Sequence, residues 1–255
     1  MTTVKDVLRA MEQLAPLALA LPDDHIGLLA GDSRAAVTKI IVALDASLAV
    51  IDEAVAAGAE LLVVHHPVMR GLDAVNESSY DAARVLKLLN NNIACIAMHT
   101  NLDACDDGVN DLLAQRCGLV DPVILDAGTR LGRVGTVPGA PSPRDYAAQV
   151  AAALDCKTLR FCAGSRPVRK AAVGSGNSTD GYALVVAAGC DAFVTGDVKY
   201  HLWLEAKESG MTLIDAGHFE TEVIVCQPVH DYLTRQFPAL DVRMSRFMAR
   251  PFETL

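Results

Sequence analysis

Aromatic side chains are scarce: Phe, Tyr and Trp together make up 5% of the 255 residues, with a single tryptophan. A core built with so few rings must rest on Ala, Val, Leu and Ile, and at 51% hydrophobic and 21% charged residues the chain is a well-buried globular protein. No apolar run approaches the roughly 20 residues that a membrane-spanning helix needs. The opening residues, Met1-Thr2-Thr3-Val4-Lys5-Asp6, lack the basic-then-apolar pattern of a secretory leader. A cytoplasmic location with no membrane partner is therefore expected. Positive charge is in deficit, with 22 Lys and Arg against 31 Asp and Glu and a formal net charge of −9. That balance argues against nucleic acid as a partner, because such binding relies on neutralising phosphates. It leaves room for a small-molecule substrate, anionic if a local cation or metal ion holds it. Cys-x-x-Cys pairs are missing too. The seven cysteines (95, 105, 117, 156, 162, 190, 226) are scattered, which excludes a zinc knuckle and suits reduced thiols in a cytosolic protein.

What is present is organised around Leu61-Leu62-Val63-Val64-His65-His66-Pro67. Four apolar residues read as a short strand buried on both faces of a parallel sheet. Pro67 favours an extended His66, so the chain leaves the strand there. Two imidazoles thus stand at the carboxyl edge of a strand, where open α/β sheets place their ligands.

Hydrophobic periodicity gives an alternating order of elements. A first amphipathic helix runs over 4–20 with a kink or stop at Pro16, followed by strands over 25–30 and 38–44. A helix over 47–57, a strand over 61–64, a helix over 79–90, a strand over 93–98 and a helix over 107–117 complete the first half. A turn-rich stretch at 121–139 holds a connecting strand at 131–137. The order then recurs: helix 143–154, strands 157–161 and 168–173, helix 178–188, strand 192–195, helix 199–209, strand 211–215 and helix 219–236. A shift of 131 lays Val37–Val64 on Val168–Thr195 with identities at Val37, Lys39, Val42, Ser47, Val55, Ala56, Ala57 and Gly58. An internal duplication follows, with a first α/β half over 1–125 and a second over 126–255. His99 and His218 each begin a His-x-x-x-acid pattern after a strand, but their separation is 119 rather than 131. The dozen extra residues of the first half fit the loop Val68–Ser79, which is either a flap beside the histidine pair or a surface insertion.

If the two halves face each other, His65 and His66, Asp103 with His99 close by, and His218 with Glu222 converge from strand ends. Glu222 lies one helical turn beyond His218 and on the same face. Imidazole and carboxylate donors together suit Zn, Mn, Fe or Co, whereas an all-oxygen set suits Mg or Ca. Five protein ligands exceed the usual three of one catalytic zinc. Two ions bridged by a carboxylate use them better, with Glu222 as the bridge. Gly174-Ser175-Gly176-Asn177-Ser178 follows a strand and opens a helix, so it reads either as an anion-holding loop or as a plain tight turn.

At these residues the chain resembles the NIF-three-like family, also called GTP cyclohydrolase I type 2 homologues. The matches are Asp24-His25-Ile26-Gly27-Leu28-Leu29-Ala30-Gly31, His65-His66-Pro67, His99-Thr100-Asn101-Leu102-Asp103, Gly174-Ser175-Gly176, Thr195-Gly196-Asp197-Val198-Lys199-Tyr200-His201 and Gly217-His218-Phe219-Glu220-Thr221-Glu222. His25 departs from the family, which often carries Asn there. The resemblance implies two intertwined α/β/α halves with mixed sheets and a dinuclear metal site in the cleft between them. By motif match its ligands fall on His65, His66, Asp103, His218 and Glu222. It also implies a ring-shaped homohexamer, in a short form without an inserted central domain. Asp197, Lys199 and His201, from the matched loop, would line the cleft, with Asp197 and His201 the candidate catalytic residues and His201 either the proton-transfer group or a helix-surface histidine that orients a ligand. The expected function is metal-dependent hydrolysis, of GTP cyclohydrolase type or on a related nucleotide or cyclic amide. The alternative is a metal-binding or regulatory scaffold without turnover. A nucleic-acid role through Arg160, Arg166, Arg169 and Lys170 is set against the acidic balance of the chain.

Overall fold

The aliphatic runs become the inner strands of two sheets in the computed structural model, which describes residues 1–72 and 74–253. Along the chain the elements are α1 (Val4–Leu14), β1 (Gly27–Ala30), β2 (Lys39–Ala43), α2 (Leu48–Ala57), β3 (Leu61–Val64), α3 (Tyr80–Asn90), β4 (Ala94–Ala97), α4 (Thr100–Ala104), α5 (Val109–Arg116), β5 (Val120–Ile124) and β6 (Arg133–Thr136). They continue as α6 (Pro143–Ala153), β7 (Arg160–Cys162), β8 (Lys170–Val173), α7 (Tyr182–Ala187), β9 (Ala192–Thr195), α8 (Tyr200–Ser209), β10 (Thr212–Asp215), α9 (His218–Glu222), α10 (Cys226–Gln236) and β11 (Asp241–Met244).

The chain forms two compact units, Met1–Leu102 with Val225–Ala249, and Asp103–Ile224 with Arg250–Leu255. A single cut after residue 125 does not describe them. β5 pairs with β6 in the second sheet, and β11 returns to pair with β2 in the first. The halves are intertwined by chain path, as the resemblance implied.

In the first unit the sheet order is β1-β4-β3-β2-β11. The last four strands run parallel, and β1 lies antiparallel on β4. One face carries Ile41, Ala43, Leu62, Val64, Cys95 and Ala97, buried against Val50, Ile51 and Ala54 of α2 and Val85 and Leu88 of α3. Strand residues alternate between faces, so the intervening Val42 and Val63 turn the other way. They meet Met11 of α1 and Cys226 and Val229 of α10. The second unit repeats the plan with the order β5-β6-β8-β9-β10-β7. Parallel β8, β9 and β10 pack Ala171, Val173, Val194 and Ile214 against α5 and α6. Their opposite face packs Ala172, Phe193 and Leu213 against α7 and α8.

The duplication extends to individual hydrogen bonds. Glu60, just before β3, accepts the amides of Thr38 and Lys39 at 3.0 and 2.9 Å. Asp191, 131 residues on, accepts those of Arg169 and Lys170 at 3.0 and 3.2 Å. The Lys39 ammonium donates to the Ala57 carbonyl, and the Lys170 ammonium donates to the Ala188 carbonyl. Each clamp fixes the entry of an inner strand to the end of the helix that follows it, which sets the register of both sheets.

Several elements differ from the sequence reading, among them α4, which was not expected. α1 ends at Leu14, and the rest of the expected 4–20 helix is a single 3-10 turn after Pro16. The helix expected over 219–236 is broken into α9, a 3-10 turn at Val223–Val225 and α10. Pro228 explains the break: its ring opposes the carbonyl four residues earlier, at Ile224, and it brings no N–H. β5 contains Pro122 and lies at a sheet edge, the place where a strand tolerates proline. β11 is a lone strand with no counterpart in the repeat.

Candidate metal centre

In the first unit the end of β3 is pinned to the end of β2, since His65 N and His66 N both donate to the Leu44 carbonyl, at 3.1 and 2.9 Å. Three imidazoles then gather. Ring centroids of His65, His66 and His99 lie 5.0 to 5.7 Å apart. One ring nitrogen from each falls within 4.8 Å of the others, close enough to share an ion.

Each ring is turned by an acceptor behind it. His65 Nδ1 lies 2.8 Å from the Met98 carbonyl, His66 Nδ1 2.7 Å from Asp45 Oδ1, and His99 Nδ1 2.9 Å from Asp24 Oδ1. A carbonyl or carboxylate oxygen can only accept, so Nδ1 carries the hydrogen and Nε2 of the neutral ring keeps its lone pair. This is the outer-shell arrangement by which metal-ligating histidines are oriented. Asp24 is itself fixed. Burial raises its carboxyl pKa, but donation from the Thr100 hydroxyl, His99 and the Thr100 amide outweighs burial and holds it below the usual carboxylate value.

In the second unit Asp103, His218 and Glu222 are arranged around the loop after β8. His218 Nδ1 lies 2.8 Å from Asp197 Oδ2, the same backing as in the first unit, and His218 Nε2 lies 3.0 Å from Glu222 Oε2 one helical turn on. Asp197 adopts φ +52°, an unusual conformation for a residue with a side chain, at the turn that faces its carboxylate to the ring. Asp103 is buried, and its Oδ1 accepts the Ser175 hydroxyl at 2.9 Å. Asn110 closes the network, donating to the Asp103 carbonyl and accepting the Ser175 amide, both at 3.1 Å. Gly176 has φ +53°, and a Cβ there would overlap Glu222 Oε1 and stand 3.2 Å from His218 Cε1. Backbone without a side chain is what lets Glu222 lie against this loop.

The glycine-serine loop is not an anion cradle. Its amides at Ser175, Gly176 and Ser178 already donate to Asn110, Thr221 and Thr195. The tight-turn reading holds. Asp197 sits against His218, whereas His201 is exposed on the first turn of α8 with its ring 5.7 Å from that of Tyr200. Lys199 and Tyr200 are exposed as well. The sequence reading named the donors but missed the orienting roles of Asp45, Asn110 and Ser175. For Asp45 the signal was available: an acid directly after the strand that neighbours the histidine pair. For Asn110, inside a helix, no local signal exists.

Fold and side chains together define an α/β protein with mixed sheets and clusters of nitrogen and oxygen donors able to hold a metal ion. The donor set fits such an ion, since carbonyl or carboxylate acceptors on Nδ1 preset His65, His66 and His99 for coordination through Nε2. The sequence profile of the Duf34/NIF3 family (NGG1p interacting factor 3) matches residues 2–251, and the chain belongs to that family. It is 35% identical over 239 residues to the GTP cyclohydrolase 1 type 2 homolog of Streptomyces coelicolor, covering 89% of this chain and 84% of that one. It is 30% identical over 227 residues to the protein of the same name from Clostridium acetobutylicum, covering 86% and 85%. Among solved structures, Staphylococcus aureus protein SA1388 superimposes with a TM-score of 0.89 at 26% identity, covering 100% of this chain and 99% of that one. Among the described residues, no helix is long and apolar enough to cross a membrane.

Proposed function

We propose that this chain is a metal-dependent hydrolase. His65 and His66, with Asp103, His218 and Glu222, hold two divalent cations drawn from Zn, Mn and Fe, the metals suited to mixed nitrogen and carboxylate ligands. Glu222, whose carboxylate has two oxygens, would be the residue best able to serve both. His99 is oriented in the same manner by Asp24 and is either a further ligand or a support for its neighbours. The observation that carries the reading is the shared backing of His65, His66 and His218, each with Nδ1 engaged by an acceptor.

Cations held there supply Lewis acidity toward a substrate oxygen and lower the pKa of water towards neutrality. The chain's own residues do the rest. Asp45 and Asp197 keep two imidazoles in one tautomer, and Ser175 and Asn110 keep the Asp103 carboxylate in one orientation. Asp197 thereby acts as a positioning residue. His201, four residues after Asp197 and on the first turn of α8, is the proton-transfer group, since an imidazole can both accept and return a proton. The relatives' name points to a nucleotide, and hydrolysis of GTP, another nucleotide or a cyclic amide is the proposed class. The working form is a cytoplasmic homohexamer.

The test is to measure metal content by elemental mass spectrometry in wild type, His65→Ala and Glu222→Ala. The loaded proteins are then screened against GTP, other nucleotides, cyclic amides and phosphoesters. Both variants should lose metal and turnover with folding intact, and His201→Asn should keep metal and lose about a hundredfold in rate. Metal retained in both ligand variants would overturn the site. Metal bound by wild type without turnover of any of these classes would favour the scaffold.

A further inference from the structure

The second unit carries a groove that the metal-site reading does not use. It is an open depression of about 250 Å³ between α6 and β7, lined by Ala147, Ala151, Leu159 and Phe161 together with Arg144 and Lys157. In a chain of net charge −9, no acidic residue among the described residues lines it. Among the described residues neither cation has a carboxylate within ion-pair distance, although nearby Arg160 and Arg166 are paired with Asp215 and Asp191. Arg144 stands in the first turn of α6, where the helix dipole disfavours a cation. Its guanidinium lies 5.7 Å from the centre of the Phe161 ring, so that one wall presents charge and aromatic surface together. The alanines of α6 are what leave the space open. A volume just under the roughly 300–1,000 Å³ of drug-sized clefts suits a fragment-sized ligand.

We propose that this groove is a binding site for a small organic anion, with a carboxylate or phosphate head between Arg144 and Lys157 and an apolar body on Leu159 and Phe161. Charge selects the ligand class: two cations without counterions, in a field otherwise negative, complement a single anionic head. The apolar floor separates this ligand from a bare inorganic ion. The proposal is independent of the metal-site reading.

The experiment titrates phenyl phosphate and benzoate into the full chain while backbone amide shifts are followed. Saturable shifts confined to the amides of 147–151 and 157–161 are expected. Neutral phenol, which has the same ring and no anionic head, should bind at least about tenfold more weakly. Arg144→Gln and Lys157→Gln should each weaken phenyl phosphate by about tenfold, the loss of one charge-assisted contact, with no fall in melting temperature since both residues are exposed. A tighter phenyl phosphate or a tighter benzoate identifies the head group, and either order supports the site. Phenol binding as tightly as the anions, variants that bind as well as wild type, shifts away from α6 and β7, or no saturation at millimolar ligand would each overturn it.

Discussion

Gly176 is the residue at which one added carbon should matter most. Its φ of +53° and the overlap of a Cβ with Glu222 leave alanine no unstrained solution. Gly176→Ala is expected to cost about 2 kcal/mol in urea unfolding, within the usual range for a strained backbone position. It should also lower bound metal in the same preparation, because the carboxylate that must move is a proposed ligand. Glu60 offers a pH-dependent case. Burial raises its carboxyl pKa, but donation from the amides of Thr38 and Lys39 and the Thr38 hydroxyl outweighs burial, so the folded value lies below the ordinary one. The sign follows: the contribution is complete above the ordinary glutamate range and is lost as pH falls through the lowered folded value. Glu60→Gln should therefore destabilise by about 1 kcal/mol at pH 7, and the gap to wild type should narrow in acid.

At the scale of elements, the duplicated strand-helix-strand unit was legible because both copies keep the same sequence of signals. An aliphatic strand, a serine, a helix, a glycine stop and an acid recur at 131 residues, and the Glu60 and Asp191 clamps show what the recurring acid does. The strand-end histidines were legible for the same reason, since an aliphatic run that stops in imidazole has few other meanings. β11 was not. Four residues of mixed polarity carry no period, and their pairing with β2 across 202 residues is a tertiary fact. β5 was hidden by Pro122, and the split of α9 from α10 by a proline whose effect falls four residues upstream. The clamps give an element-scale prediction. Lys170→Met removes the ammonium bond to the Ala188 carbonyl and should cost about 1 kcal/mol. Lys39→Met should cost a similar amount, and the two losses should add, because each clamp lies within its own unit.

At the scale of the whole molecule, the aliphatic core keeps most thiols out of reach. Burial pushes Cys95, Cys105 and Cys156 up to about 12, and Cys190 up to about 11. Because the thiolate is the reactive form, these four should react slowly with an aromatic disulfide reagent at neutral pH. They should react together once denaturant unfolds the chain. Reaction of these thiols at the free-thiol rate in native protein would contradict the packing described. The crossing of the chain between units has a separate consequence. A chain ended after residue 224 lacks α10, which covers the face of the first sheet shared with α1, and lacks β11, the neighbour of β2. It should retain signals of the second unit and lose protection of the first in hydrogen exchange.

The same crossing sets an order of events during synthesis. The segment emerging first from the ribosome contains most of the first unit, yet that unit cannot close until residues 225–249 have been made. Residues 103–224 carry every strand of the second sheet and can assemble while the amino-terminal strands still wait for their last neighbour. Nascent chains stalled at increasing length should gain protease resistance in the later-made half before the earlier one, the reverse of the usual order.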